Sequence, residues 1–191
     1  HVPSKIIPIL YRPFDVRHTY YTGKSGGFMG RPRYAVMQHM LHENLALITR
    51  RVMQKPFNFS FVTDKIFAHG TIASDNKGIE YAFPLYQYDL ITSEKKSNLT
   101  SKLFSYLEKL YEKPVDSEQI FYYVYAVLYS RNYRKKFATF LAEDFPKIPF
   151  TKNFKVFEKM SNLGKELVSL HTNKIKLTPK TKFNISLTKE K

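Results

Sequence analysis

Residues 116–150, DSEQIFYYVYAVLYSRNYRKKFATFLAEDFPKIPF, decide the fold of this chain. Asp116 is an N-cap residue type, and Gln119 stands three positions on, at capping-box spacing. Ile120, Tyr123, Val124, Val127 and Leu128 then recur at the interval of one helical face. Ser130 is placed to cap a second helix, with Tyr133, Phe137, Phe140 and Leu141 on its apolar side. Arg131, Arg134, Lys135 and Lys136 line the opposite side. The second helix must stop before Phe145-Pro146, because proline pushes the residue before it out of helical dihedrals. Pro146 and Pro149 hold Lys147-Ile148 extended. No other stretch is as rich in aromatics, so this helix pair is expected to form the core, with its basic side outward.

Downstream, a helix is expected from about Asn153, with Phe154, Phe157, Met160, Leu163, Leu167 and Val168 inward. Upstream, Leu103, Tyr106, Leu107 and Leu110 make a short amphipathic helix before Pro114, preceded by a polar linker at 92–101. Between residues 44 and 88 the pattern has period two. NLALITR, FNFSFVT, KIFAHGTIAS and YAFPLYQY read as strands, with Asp75-Asn76-Lys77-Gly78 as a turn. Pro32 suits the first position of a helix over 32–43 whose apolar face is Val36, Met37, Met40 and Leu41. Residues 6–21 carry Pro8 and Pro13, which exclude a helix interior and leave extended chain or an edge strand. The expected class is therefore α+β, an antiparallel or mixed sheet from the first half packed with a helical bundle from residues 103–171. Residues 172–191 are expected as a basic tail, either a hairpin or a frayed segment.

The chain has 191 residues, 43% of them hydrophobic, enough for one domain with a packed core. No apolar run is long enough to span a membrane. Cysteine is absent, which excludes disulfides, thiolate zinc sites and cysteine nucleophiles and fits a cytoplasmic, bacterial protein. The opening His1-Val2-Pro3, with no initiator methionine or signal peptide, reads as part of a longer polypeptide.

Charge is the informative number. Lysine plus arginine outnumber aspartate plus glutamate by 31 to 16, a net charge of +15. The excess lies at the ends: residues 1–60 hold 9 basic and 2 acidic groups, and residues 151–191 hold 10 and 3. Arg12, Arg17, Arg31, Arg33, Arg50 and Arg51 crowd into the first third, whereas the tail is purely lysine. A polyanion is the expected partner, and nucleic acid is the commonest one. Lysine used for solubility would explain the tail but not the arginine cluster.

No catalytic constellation stands out. His39 and His42 share a helical face at i, i+3 spacing, but no HExxH frame supports a metal site. Gly23, Gly26, Gly27 and Gly30, among Lys24, Arg31 and Arg33, form a basic loop without the spacing of a P-loop. Asp75 followed by Glu94-Lys95-Lys96 permits a metal-dependent nuclease reading. Glu94 falls in the polar linker, however, and so short a motif arises by chance. Exposed tyrosines able to stack on bases would permit an RNA-binding module. Arginines at loop and strand ends can reach a groove, and their planar forks suit guanine edges or phosphates. The DNA-binding candidates are Lys24, Arg31, Arg33, Arg50, Arg51, Lys55, Arg131 and Arg134. Tyr11, Arg12, Phe14, Asp15 and Arg17 are expected as a structural motif in which Asp15 pairs with a nearby arginine.

YRPFDVRHTYYTGKSGGFMGRPR (11–33), AFPLY (82–86), YVYAVLYSRNYRKKFATFLAEDFPKIPF (123–150) and FEKMSNLGKELVSLH (157–171) resemble the C-terminal specificity domain of type ISP and related single-chain restriction–modification enzymes. The resemblance covers residues 11 to about 171 and leaves out the tail. It implies sequence-specific binding of double-stranded DNA as a target recognition domain, and no catalysis by this chain alone. It also implies an upstream adenine methyltransferase domain in the same polypeptide, with S-adenosylmethionine and magnesium used by the full-length enzyme.

Overall fold

The computed structural model describes residues 2–26, 28–52, 60–73 and 79–175. Strands β1 (Ile6–Arg12) and β2 (Asp15–Tyr20) form an antiparallel hairpin running from Ile6 opposite Tyr20 to Arg12 opposite Asp15. Strand β5 (Ile66–Phe67) pairs in parallel with Ile9 and Leu10 on the other side of β1. Thus β1 is a middle strand, and Pro8 lies outside its second ladder.

A second sheet has the order β4 (Ser60–Thr63), β3 (Ala46–Arg50), β6 (Glu80–Pro84), all antiparallel. Strand β7 (Tyr86–Tyr88) pairs with β8 (Lys95–Ser97), so the expected linker supplies a strand. The expected strand over 65–74 shrinks to two residues for a specific reason. The Glu80 carboxylate accepts the backbone N–H groups of Thr71 (2.9 Å), Ile72 (2.8 Å) and Ala73 (3.1 Å), taking donors that a strand ladder would need. Residues 57–59 and the turn at 75–78 lie outside the described residues.

The expected helix over 32–43 is a four-residue α1 (Tyr34–Met37) continued by a 3-10 turn, Gln38–Leu41. Met37 and Met40 are buried, but Leu41 is exposed. The tighter turn is fastened from its end. Buried Asn44 donates to the carbonyls of His39 and Tyr86 and accepts from the N–H of Leu45 and of Tyr86. One side chain therefore joins the turn, β3 and β7, with its hydrogen-bonding capacity filled.

The helices are α2 (Ser101–Tyr111), α3 (Ser117–Tyr129), α4 (Arg131–Lys136), α5 (Ala138–Glu143) and α6 (Phe154–His171). Asp116 and Gln119 form the expected capping box, and Ser130 and Asn153 accept from the N–H groups of Tyr133 and Val156 as caps of α4 and α6. The second helix of the expected pair is broken at Phe137, whose backbone leaves helical dihedrals. The break turns Phe140 out to 68% exposure while Leu141 stays buried. Helix α3 instead packs along α6. Ser161 donates to the Gln119 carbonyl, Gly164 abuts Tyr122, and His171 meets Tyr125, so the contacts advance together along both helices. Leu163, expected inward, is exposed.

The segment between α5 and α6 has no strand partner, and its prolines contribute no N–H. Tyrosine hydroxyls hold it instead. Tyr133 donates to the Lys147 carbonyl (2.9 Å), Tyr123 to that of Pro149 (2.8 Å) and Tyr111 to that of Thr151 (2.8 Å). The Tyr123 ring stacks on Phe150 and packs against Phe157, which is fully buried. Helix and sheet halves meet where Phe121, Tyr125 and Val168 close on Val62 and Leu85.

Candidate nucleic-acid interface

The expected DNA-binding cations separate into distinct environments. Lys24, Arg31 and Arg33 are exposed around the glycine loop. Tyr21, itself buried, donates its hydroxyl to the Pro32 carbonyl (2.7 Å) and so pins the backbone between Arg31 and Arg33. Burial raises the Tyr21 phenol to about 12, keeping it a donor. Arg33 itself sits at φ 49°, in the left-handed region that costs an ordinary residue about 1–2 kcal/mol. Such strain is retained where the surroundings fix the position.

Arg50 departs from expectation. It ends β3 but is only 3% exposed, standing opposite Glu80 in the ladder with β6. A strand end read as open is covered by its neighbouring strand, so Arg50 is a core residue. Arg51, the next residue, is exposed and bonds Asp144 through its Nε at 2.8 Å, which ties the strand end to the end of α5. That bond raises the Arg51 pKa and lowers that of Asp144. Lys55 lies outside the described residues.

Arg131, Lys135 and Lys136 are exposed on α4, as expected. Arg134 is not with them. It is partly buried, donates from Nε to the Leu128 carbonyl at 2.5 Å and lies 4.8 Å from the Tyr129 ring centroid. Burial lowers its pKa. Arg134 therefore braces the α3–α4 corner, where a free carbonyl at a helix end needs a donor.

In the hairpin motif, Asp15 receives a two-pronged contact from Arg17, with bonds of 2.9–3.2 Å. Both groups are substantially exposed. The pairing is as expected, but it lies on the exposed side of β2. Arg12 takes no part in it. Arg12 donates to the Tyr11 carbonyl (2.7 Å), and the guanidinium carbons of Arg12 and Arg17 stand 4.2 Å and 3.9 Å from the Tyr11 ring centroid. Phe14 adopts φ 66° at the turn and sets its ring edge-on to Phe61 and His171.

His39 accepts the Tyr88 N–H at Nδ1, and His42 stacks on the Tyr88 ring. The pair thus fastens a strand to a turn, and burial lowers the His39 pKa. Among the described residues, no three histidine, aspartate or glutamate side chains gather as metal ligands. Glu94 sits in the β7–β8 turn, and Asp75 is outside the described residues. Of the fourteen tyrosines offered for RNA stacking, Tyr21, Tyr111, Tyr123, Tyr125 and Tyr133 are buried, and Tyr34, Tyr81 and Tyr106 are exposed.

Two features escaped the sequence reading. A cavity of about 540 Å³ opens between β1, β5 and the glycine loop, lined by Ile9, Tyr21, Met29, Met37, Ile66 and Phe67, with Arg31 and Arg33 at its wall. Beside it, Phe28 is 80% exposed. The cavity joins residues distant in sequence, so no local pattern announces it. An isolated phenylalanine in a basic glycine loop is the one signal that was there to be used.

The family model for the Type ISP C-terminal specificity domain matches residues 1–190, including most of the stretch set apart above as a tail. Among solved structures, the chain matches DrdV in a cryo-EM complex with DNA, with a TM-score of 0.70 and 30% identity over 90% of this chain and 16% of that one. It matches LlaBIII, an ATP-dependent Type ISP restriction–modification enzyme bound to DNA, with a TM-score of 0.62 and 25% identity over 88% of this chain and 11% of that one. A nuclease-deletion mutant of the Type ISP enzyme LlaGI, in complex with a DNA substrate mimic, shares the fold at 23% identity, with a TM-score of 0.57 over 91% of this chain and 14% of that one. No curated protein matches the chain. The chain spans 11–16% of the length of these solved relatives. Matched over almost its whole length by the family's own model, the chain belongs to the Type ISP C-terminal specificity domain family.

Proposed function

We propose that this chain binds duplex DNA and supplies target recognition to a longer restriction–modification enzyme. The observation that carries this reading is the match to DrdV over 90% of the chain, in a structure that contains DNA. The exposed cations Lys24, Arg31, Arg33 and Arg131 fit the role, since phosphate contacts supply affinity and base-edge contacts supply specificity. The chain positions DNA and performs no chemistry of its own. In this reading an adenine methyltransferase domain of the same polypeptide carries the reaction, and S-adenosylmethionine and magnesium belong to that remainder. No described helix is long and apolar enough to cross a membrane.

Fluorescence anisotropy on duplex DNA, single-stranded DNA and RNA tests the reading, with a random duplex library to select the preferred site. If ~5 phosphates are neutralised, log affinity falls against log salt with a slope of about −4 to −5. A flat salt response or a preference for single strands overturns it.

A further inference from the structure

Phe28 and the cavity beside it form a pair that general DNA binding does not require. The turn carrying Phe28 is closed by a hydrogen bond from the Gly26 N–H to the Met29 carbonyl (3.1 Å), with Gly26 at φ 97°. The turn holds the Phe28 ring largely in solvent, at a centroid distance of 6.4 Å from the Tyr20 ring. The next residue, Met29, already lines the cavity.

The cavity falls within the range of roughly 300–1,000 Å³ typical of small-molecule sites. Its interior is apolar and aromatic, with Tyr21 and Phe67 among the lining side chains. The polar groups at its wall are mostly engaged: the Tyr21 hydroxyl by Pro32, and the Glu80 carboxylate by three backbone N–H groups. The exceptions are His69 and the guanidinium groups of Arg31 and Arg33, which are exposed and whose side chains make no hydrogen bond or ion pair with any described residue. An apolar slot with two available guanidinium groups at its wall fits a flat ring attached to an anion. Within a duplex, that is a nucleotide.

We propose that the cavity receives one unstacked nucleotide of the bound duplex. Its base lies in the slot, its flanking phosphates meet Arg31 and Arg33, and Phe28 enters the gap left in the stack. Apolar side chains wedge between base steps in this way, and an extruded base is held by stacking in a closely shaped pocket. The inference rests on the duplex-binding reading above and adds a site to it.

The test uses the 191-residue chain and its selected duplex, with 2-aminopurine substituted in turn at each position. Binding is expected to brighten one position severalfold, as a base leaves the stack. Phe28→Ala is expected to abolish most of that rise with no change in melting temperature, because the side chain is exposed. Ala68 also lines the cavity, so Ala68→Phe narrows it and is expected to remove the rise while retaining duplex binding. Ile79→Trp, at an exposed lining position, replaces it if Ala68→Phe does not fold. Sequence-selective duplex binding with no bright position overturns this inference and leaves the proposed function standing. Brightening that survives both Phe28→Ala and a folded cavity-filling variant also overturns it. Loss of any preference for duplex DNA overturns both readings.

Discussion

Gly164 of α6 lies against the Tyr122 carbonyl of α3. A Cβ added to the glycine would meet the Tyr122 carbonyl carbon at 2.6 Å and its oxygen closer still. The two helices approach this closely only because one presents no side chain. Helix propensity alone favours alanine over glycine by about 1 kcal/mol. Packing reverses the sign, and Gly164→Ala is expected to destabilise the fold by about 1–3 kcal/mol, since a backbone carbonyl cannot swing aside. Urea denaturation checks it. An unchanged or higher midpoint would mean that the helices separate at little cost.

The capping box of α3 supports a shorter-range prediction. Asp116 accepts the Gln119 N–H at 2.7 Å, and the Gln119 side chain accepts the Asp116 N–H at 3.1 Å. Asp116→Ala removes the acceptor and should cost about 1 kcal/mol. Asp116→Asn keeps a capping oxygen and should retain most of the stability. Equal losses in the two variants would show that the carboxylate charge matters more than the cap.

The legible parts of this fold were those fixed by neighbours in sequence. Both caps around α3, the start of α6 and the stop before Pro146 depend on residues within a few positions, and all appear as expected. The misses lie where distant chain segments intervene. Phe137 breaks a helix whose pattern continues through it, and Arg50 is covered by β6. The Glu80 carboxylate takes N–H groups from a segment whose pattern reads as strand. Likewise, the basic character of the interface was visible in composition, but its division into exposed and internal arginines was not. Arg134 has the helical position of a surface cation, yet the Leu128 carbonyl and the Tyr129 ring draw it inward.

Acid should weaken the contact between α6 and the sheet. His171 shares a 2.6 Å hydrogen bond with the Tyr125 hydroxyl and stacks on Phe61, and Arg134 adds positive potential near Tyr125. Burial lowers the His171 pKa below its ordinary value of about 6.5. The folded state therefore favours the neutral ring. Its contribution to stability is complete above the unfolded pKa and is lost as pH falls through the lower folded value. His39 is depressed in the same direction and adds a parallel loss. Melting temperature should fall from pH 7.5 to 5, and His171→Gln should fall less steeply. Parallel curves for the two proteins would remove His171 from the explanation.

The last prediction concerns four arginines that look alike in sequence. Arg31 and Arg33 are exposed, whereas Arg50 is buried and Arg134 partly so. Arg31→Ala and Arg33→Ala should leave the melting temperature nearly unchanged. Each that meets a phosphate should make the salt slope of duplex binding shallower by about 0.9, and each that makes a bidentate base contact should lower preference for the selected site by about 1–3 kcal/mol. Arg134→Ala strips the Leu128 carbonyl of its side-chain donor and should cost about 1–3 kcal/mol of folding stability. Arg50→Ala should likewise lower stability, through lost packing in the β3–β6 region. Any loss of DNA affinity in these two variants should vanish when binding is measured at a temperature where they are fully folded. Thermal melting run beside anisotropy on selected and scrambled duplexes separates the classes. If Arg50→Ala or Arg134→Ala is fully folded yet loses discrimination while Arg31→Ala and Arg33→Ala keep it, DNA is read from a different face.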